Sequence, residues 1–311
     1  MPDAAYGLGD VPGSGLVAGD QVTVVRARAF CLMSIDLHTH STASDGTDAP
    51  RALGALASSA GLSVLALTDH DTTAGLASAA KSCDRAGVEF VPGIELSAQR
   101  GKERGTLHIL GYFVDRSSAA LKTVCAELAE ARADRAPRIV ASLNELGVDI
   151  TLDEVLAQAG GAVIGRPHIA AVLVRKGYVK TVADGFARYI GQGKPAYHRK
   201  DQLEAARAIE AVHDAGGMAV LAHPIQLNYA DDAELVQLVR DLVAAGLDGL
   251  ETHHPDHHRG LVEQYTHLAS RFDLVTTGGS DYHGDRKEHG LGCSEVSAEM
   301  FAGLREAHAG R

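Results

Sequence analysis

The sequence predicts an α/β fold, a (β/α) barrel interrupted by a helical insertion. Short β-branched or aliphatic runs alternate with Ala-rich stretches before residue 115 and again after residue 201, the pattern of repeated βα units. Between them, residues 118–190 hold several helical segments and no run that reads as a strand. The chain also carries 16 histidines, many of them where short apolar runs end.

Residues 35–40 read as the first strand, with a helix over 50–60. A strand at 63–68 and a helix at 73–86 follow, then runs at 88–91 and 94–97 split by Pro92-Gly93, and a further apolar run at 106–114. In the insertion, residues 121–147 form a long helix broken or kinked at Pro137, because proline cannot donate its backbone hydrogen bond. Thr151 and Asp153 open a short helix. Another spans 166–177, with Pro167 in its first turn and Gly177 at its C-terminal cap, and a last one spans 181–191. Alternation resumes with strands at 218–222, 247–252 and 274–277 and helices at 233–246 and 258–272. The division expected is a tail at 1–34, a first barrel part at 35–117, the helical insertion at 118–200 and a second barrel part at 201–311. Met33 is an alternative start, and a short extra strand is the competing reading of the tail.

The 311 residues are 45% hydrophobic, enough for a large core in one elaborated domain or a domain plus an insertion. No run of about 18 apolar residues suggests a membrane span, and the first 34 residues lack the features of a secretory signal. Cys31, Cys83, Cys125 and Cys293 are scattered without a CxxC pair, which points to a reduced, cytoplasmic setting. A net charge of −11 argues against duplex DNA as a partner. Residues 121–200 nevertheless hold 12 Lys and Arg against 8 Asp and Glu, a net of +4 that leaves −15 for the rest. A basic middle suits a small anion held by one segment, and an ordinary solvated helical surface accounts for it equally well. No protein partner is evident.

The strongest local signal is Asp36-Leu37-His38-Thr39-His40. Side chains alternate along a strand, so His38 and His40 project from one face, close enough to share a metal. A lone HxH also describes two half-buried strand histidines. The recurrence at later run ends decides between these readings: Asp45 follows in the next loop, then come His70, Glu95, His108, His223, Asp281 and His283. In a βα barrel the carboxyl ends of the strands converge on one face. Six imidazoles and three carboxylates exceed what one tetrahedral ion needs and point to two or three divalent ions. Mixed nitrogen and oxygen donors suit Mn, Zn or Fe better than Ca or Mg, with Mn the expected metal.

His38-Thr39-His40-Ser41 with Asp45, Thr68-Asp69-His70-Asp71, Pro92-Gly93-Ile94-Glu95, Leu221-Ala222-His223-Pro224 and Gly279-Ser280-Asp281-Tyr282-His283-Gly284 together resemble the PHP (polymerase and histidinol phosphatase) phosphoesterases over residues 35–300. The resemblance implies a distorted (β/α)7 barrel of PHP type with a helical insertion domain and a trinuclear metal site. It places His38, His40, Glu95 and Asp281 around one ion, with Glu95 bridging to a second ion completed by His108 and His223, and Asp45, His70 and His283 around a third. Asp36, Asp69 and Asp71 are candidates to orient ligand imidazoles, and a helix cap or surface salt bridge accounts for Asp71 equally well. Gly165-Arg166-Pro167-His168-Ile169-Ala170 and Gly193-Lys194-Pro195-Ala196-Tyr197 resemble the TrpH-like branch, whose members hydrolyse 3′,5′-nucleotide bisphosphates and short 5′-phosphorylated RNA.

The expected reaction is hydrolysis of a nucleotide phosphate ester by metal-activated hydroxide, the substrate being a bisphosphate mononucleotide or a short single-stranded RNA. His223 or His257 is the candidate general acid. Arg166 and His168, at a helix start, and Arg135 and Lys194 are the candidate phosphate binders; Arg132 and Arg138 share the helical spacing of Arg135. In the His-rich segment 253–258, the histidines other than His257 read as surface or supporting residues. A histidinol-phosphate phosphatase, an amide- or lactone-cleaving barrel and a non-catalytic metal-binding module remain as alternatives on sequence alone.

Overall fold

The structure, a computed structural model, describes residues 34–99, 105–161, 164–198 and 203–311, without the side chains at 132 and 133. The expected tail therefore lies outside the described residues, apart from Ser34. The first stretch is β1 (Ser34–Asp36), α1 (Pro50–Ser59), β2 (Leu62–Leu67), α2 (Leu76–Ala86), β3 (Glu89–Gln99) and β4 (Leu107–Tyr112). Helices α3 (Ala119–Glu145), α4 (Leu152–Ala159), α5 (Arg166–Arg175) and α6 (Val182–Gly185) follow, ending in a π-helical turn at Phe186–Ile190. The last stretch is β5 (Leu203–Glu204), α7 (Ala205–Asp214), β6 (Met218–Leu221), a 3-10 turn at Pro224–Leu227, α8 (Asp232–Ala244), β7 (Gly249–His253), α9 (Arg259–Arg271), β8 (Val275–Gly278) and α10 (Ala298–Ala309). No helix among the described residues is long and apolar enough to cross a membrane.

The strands form one mixed sheet in the order β1-β2-β3-β4-β6-β7-β8, with β5 paired to β3. β1 to β3 run parallel, as do β6 to β8. β4 is antiparallel to both its neighbours. Seven residues separate β3 from β4, too few for the crossover that a parallel pair needs. β3 also runs unbroken through Pro92-Gly93, where two separate runs were expected. Pro92 has no N–H to give, and its carbonyl accepts from Val114 N at 3.2 Å. Beyond the named strands, Leu37 N donates to Gly278 O, His40 N to Tyr282 O and Tyr282 N to His38 O, so the chain after β1 bonds to the chain around the end of β8.

Alternate strand residues build two cores. Val64 and Ala66 of β2 join Ile35, Leu110, Tyr112, Met218 and Val220 on one face, where α10 adds Phe301 and Leu304. Leu65 and Leu67 join Ile109, Leu221 and Leu250 on the other, beneath Leu53, Leu76, Ile209, Leu235 and Leu268 of the surrounding helices. With both faces covered, strands read as continuous apolar runs rather than alternating ones. Each such aliphatic side chain contributes about 1.5–3 kcal/mol on burial.

A third core is built from Ile139, Leu143, Val155, Ile169, Leu173 and Ile190, all within the expected insertion. α3 is shared: its first half gives Leu121, Val124 and Leu128 to the sheet–helix core, its second half Ile139 and Leu143 to the insertion. Of the break or kink expected at Pro137, the break does not occur: α3 is helical from Ala119 to Glu145 with Pro137 inside it. Buried residues immediately beyond the proline anchor the turn that lost its backbone bond. Thr151 and Thr181 cap α4 and α6 with their side chains, and Gly177 takes the left-handed conformation after α5 (φ +76°).

Candidate metal centre

β1 ends at Asp36, earlier than expected, yet a parallel bridge of Thr39 to Tyr282 keeps the alternation that points His38 and His40 the same way. Their ring centroids are 5.2 Å apart. His70 follows β2 and bridges to Glu95 within β3. His108 lies at the start of β4, and because that strand is reversed, its first residues meet the ends of its neighbours: Ser97 pairs with His108, and Ala222 N donates to His108 O. His223 follows β6, while Asp281 and His283 follow β8. His223 and Asp281 hold positive φ angles of 21° and 50°, costly for residues with a Cβ and typical of functional sites.

All nine expected ligands come together. Glu95 Oε2 lies 3.3 Å from His38 Nε2, 3.2 Å from His40 Nε2 and 2.9 Å from His70 Nδ1. Its Oε1 lies 2.7 Å from His108 Nδ1 and 2.9 Å from His223 Nε2. Asp281 Oδ1 approaches His38 Nε2 at 3.6 Å and His40 Nε2 at 3.4 Å. Asp45 approaches His283 Nε2 at 3.3 Å and His70 Nε2 at 3.9 Å. Donor atoms converge within 4.8 Å in four overlapping groups: His38, His40 and Asp281; His38, Glu95 and His223; His70, Glu95 and His108; and His40, Asp45, His70 and His283.

These residues fit a set of divalent ions. His38 Nε2, His40 Nε2 and Glu95 Oε2 are buried and make no hydrogen bond, although they lie close together. Buried polar atoms are ordinarily paired, and lone pairs converging on a common space suit a cation. The charge balance agrees. Burial would raise Glu95, but the imidazoles of His70, His108 and His38 outweigh it and hold its carboxyl well below the usual range. Asp45 and Asp281 are held down in the same way, against burial, by His70 and His283 around Asp45 and by His38 and Lys287 at Asp281. Burial pushes the His108 imidazole down to about 4, leaving it neutral, the form in which a histidine binds metal.

Asp36, Asp69 and Asp71, expected to orient imidazoles, accept from backbone N–H groups and serine hydroxyls. Asp36 accepts from Ser280 N (2.9 Å), Ser280 Oγ (2.6 Å) and Gly292 N (2.8 Å), tying β1 to the loop that carries Asp281. Asp69 accepts from Ser41 N, Ser41 Oγ and Ser44 Oγ and so shapes the loop bearing Asp45. Asp71 accepts from Ser97 N and Oγ, beside His108. The carboxylate on an imidazole is one that sequence reasoning missed. Glu251 Oε1 sits 2.9 Å from His38 Nδ1, and its Oε2 accepts from His223 N at 2.7 Å. His254 was read as a surface or supporting residue; it is buried, with Nε2 3.3 Å from Asp281 Oδ2.

A cavity of about 520 Å³ opens over the cluster. Asp45, His70, Glu95, His108, His223, Asp281 and His283 line it together with Arg135, Arg166, Phe186 and Tyr197. Arg166 donates to Ile190 O at 3.3 Å, and its guanidinium lies 5.3 Å from the Phe186 ring centre and 5.6 Å from that of Tyr197. Arg286 and Lys287, both unforeseen, also line the cavity, and Lys287 Nζ contacts Asp281 Oδ2.

The structure does not bring the other expected residues to this cavity. His168 is buried in α5, where its Nδ1 accepts from Gly165 N at 3.0 Å and supplies the cap that a glycine side chain cannot. Lys194 is exposed in a turn beyond the π-helical segment. His257 is buried with Nδ1 bonded to Thr252 O at 2.9 Å, and its ring packs on Tyr265, away from the lining. Arg138 is exposed, and the Arg132 side chain lies outside the described residues.

A family model described as "PHP domain" matches residues 36–220. The chain belongs to the PHP family. Similarity to characterised PHP relatives runs nearly their full length. The chain is 37% identical over 251 residues to the phosphoribosyl 1,2-cyclic phosphate 1,2-diphosphodiesterase of Eggerthella lenta, covering 80% of this chain and 94% of that one. It is 36% identical to the 5′-3′ exoribonuclease of Haemophilus influenzae (80% and 89%) and 35% identical to the 3′,5′-nucleoside bisphosphate phosphatase of Chromobacterium violaceum (81% and 88%). Among solved structures, a Bifidobacterium adolescentis protein described as a metal-dependent phosphoesterase superposes with a TM-score of 0.80 at 34% identity, over 88% of this chain and 96% of that one.

Proposed function

We infer that this chain is a metal-dependent phosphoesterase that hydrolyses phosphate esters of nucleotides, either the 3′-phosphate of a 3′,5′-bisphosphate or the linkages of a short 5′-phosphorylated RNA. The observation that carries this reading is the nine-residue cluster, with buried lone pairs directed at common points, under a cavity walled by arginines. The names of the relatives support it: each acts on a phosphate ester of a ribose-containing compound or RNA.

The nine residues would hold two or three divalent ions, with manganese the favoured metal. Bound there, such ions supply a nucleophile from water near neutral pH and neutralise charge on the transferring phosphoryl group. The protein's own parts bind and orient. Glu95 presents one oxygen to His38 and His40 and the other to His108 and His223, so it would help hold metal on both sides of the cluster. The Nε2 of His223 is committed to that group, which favours a ligand role for it over that of general acid. Arg166, held between two aromatic rings, and Arg135 line the same cavity as the cluster and receive a second phosphate. The hydrogen bonds joining the ends of the sheet support a distorted seven-stranded barrel, with residues 118–200 as an insertion over its mouth.

Phosphate release by manganese-loaded protein from adenosine 3′,5′-bisphosphate, a short 5′-phosphorylated RNA and histidinol phosphate tests the reading. Preference for either nucleotide substrate is expected. Preference for histidinol phosphate would keep the chemistry and overturn the substrate assignment.

A further inference from the structure

Arg286 stands apart among the cationic residues of the cavity. Lys287, its neighbour, is engaged by Asp281. The Arg286 guanidinium makes no hydrogen bond and no ion pair with any described residue, and its Nη1 is shut off from solvent without a partner. Guanidinium groups carry five donors, and a partly buried one left unpaired is costly. Burial pushes Arg286 below its usual value, with Asp45 opposing that shift.

Its placement is built. Thr47 N donates to His283 O, Asp285 N donates to Thr47 Oγ1, and Lys287 N closes the turn onto Gly284 O. Gly284 has φ +66°, and a Cβ there would run into Thr47, so this tight turn depends on glycine. The turn thereby brings three of its side chains to the cluster: His283 to Asp45, Lys287 to Asp281, and Arg286 into the lining of the cavity.

We propose that Arg286 is an anion-binding residue whose guanidinium takes a non-bridging oxygen of a phosphoryl group seated at the Asp45–His70–His283 side of the cluster. This rests on the phosphoesterase reading for the identity of the anion. The fork of a guanidinium matches the oxygens of a tetrahedral phosphoryl group, and an arriving anion satisfies donors the fold leaves unmet. Arg286 thus serves the phosphoryl group at the cluster, whereas Arg135 and Arg166 face the more distant part of a substrate.

Direct titration of manganese-loaded full-length protein with inorganic phosphate tests the assignment independently of turnover. Wild-type protein is expected to bind phosphate, and Arg286→Met to bind it about tenfold or more weakly, the loss expected for one charge-assisted hydrogen bond. Arg286→Lys, which keeps the charge without the fork, is expected to fall between them and supplies the answer if the methionine variant does not fold. Equal affinity in wild type and variants, or no binding by wild type, overturns the proposal, even if the enzyme releases phosphate from a nucleotide. Absence of turnover alongside Arg286-dependent phosphate binding would instead overturn the phosphoesterase reading and leave the anion site standing.

Discussion

The buried carboxylate of Glu251 lies 2.9 Å from His38 Nδ1, leaving His38 Nε2 turned to Glu95 at 3.3 Å. The same carboxylate accepts from the backbone of His223, which is held at φ 21°. One side chain on β7 thus sets a ring on one side of the cluster and a strained backbone on the other. Carboxylates that fix the far nitrogen of a ligand histidine typically matter about 10–100-fold for metal affinity. Glu251→Gln is expected to lose manganese affinity by that order while staying folded, as read by competition with a fluorescent chelator. Unchanged affinity would remove the positioning role.

Metal and fold should be linked. Binding to the folded chain alone stabilises it by about 2.7 kcal/mol when metal is at a hundredfold excess over its dissociation constant. Chelator-stripped protein is therefore expected to melt several degrees lower, with re-addition of manganese restoring the midpoint in scanning calorimetry. His40→Ala should blunt this response, since His40 belongs to two of the four donor groups.

Arg166→Ala is expected to raise KM for adenosine 3′,5′-bisphosphate more than for a simple monophosphate. Its side chain lines the same cavity as the cluster, with the guanidinium 5.3 Å from the Phe186 ring centre. Equal effects on both substrates would end its role as reader of the second phosphate.

Burial lowers His257 to about 4, below the ordinary 6.5. Its Nδ1–H donates to Thr252 O, so a second proton would place a charge on the buried Nε2. Between pH 6.5 and about 4 the unfolded chain takes up this proton and the folded one does not, so this contribution makes stability fall as pH drops through that window. His38, raised well above its usual value because Glu251, Glu95 and Asp281 overcome burial, acts in the opposite sense. The readout is therefore the difference between variants. In chelator-stripped protein, His257→Gln should show a shallower loss of thermal midpoint from pH 6.5 to 4 than wild type. Parallel curves would contradict the neutral buried ring.

Much of the cluster was legible because several members sit beside a turn residue at the end of an apolar run, as in His223-Pro224 and Asp281-Tyr282-His283-Gly284. Supporting groups were not. Glu251 lies inside a strand among four conspicuous histidines, and nothing local marks a carboxylate whose partners are more than 200 residues away and 28 residues away. The reversal of β4 was equally hidden, because an apolar run carries no direction. His168 misled for a related reason: beside a proline at a helix start, a phosphate binder and a cap for Gly165 look the same in sequence. Arg286 and Lys287 follow the most legible motif in the chain, yet only the turn through Gly284 shows that they face the cavity.

The most direct test of the central claim is phosphate release from adenosine 3′,5′-bisphosphate by wild-type protein, stripped of metal and then reloaded with manganese, beside His40→Ala treated identically. The account predicts turnover by reloaded wild type, near-complete loss on stripping, and little recovery in a folded His40→Ala variant. Undiminished release by stripped wild type, or near-normal turnover by the variant, would contradict it.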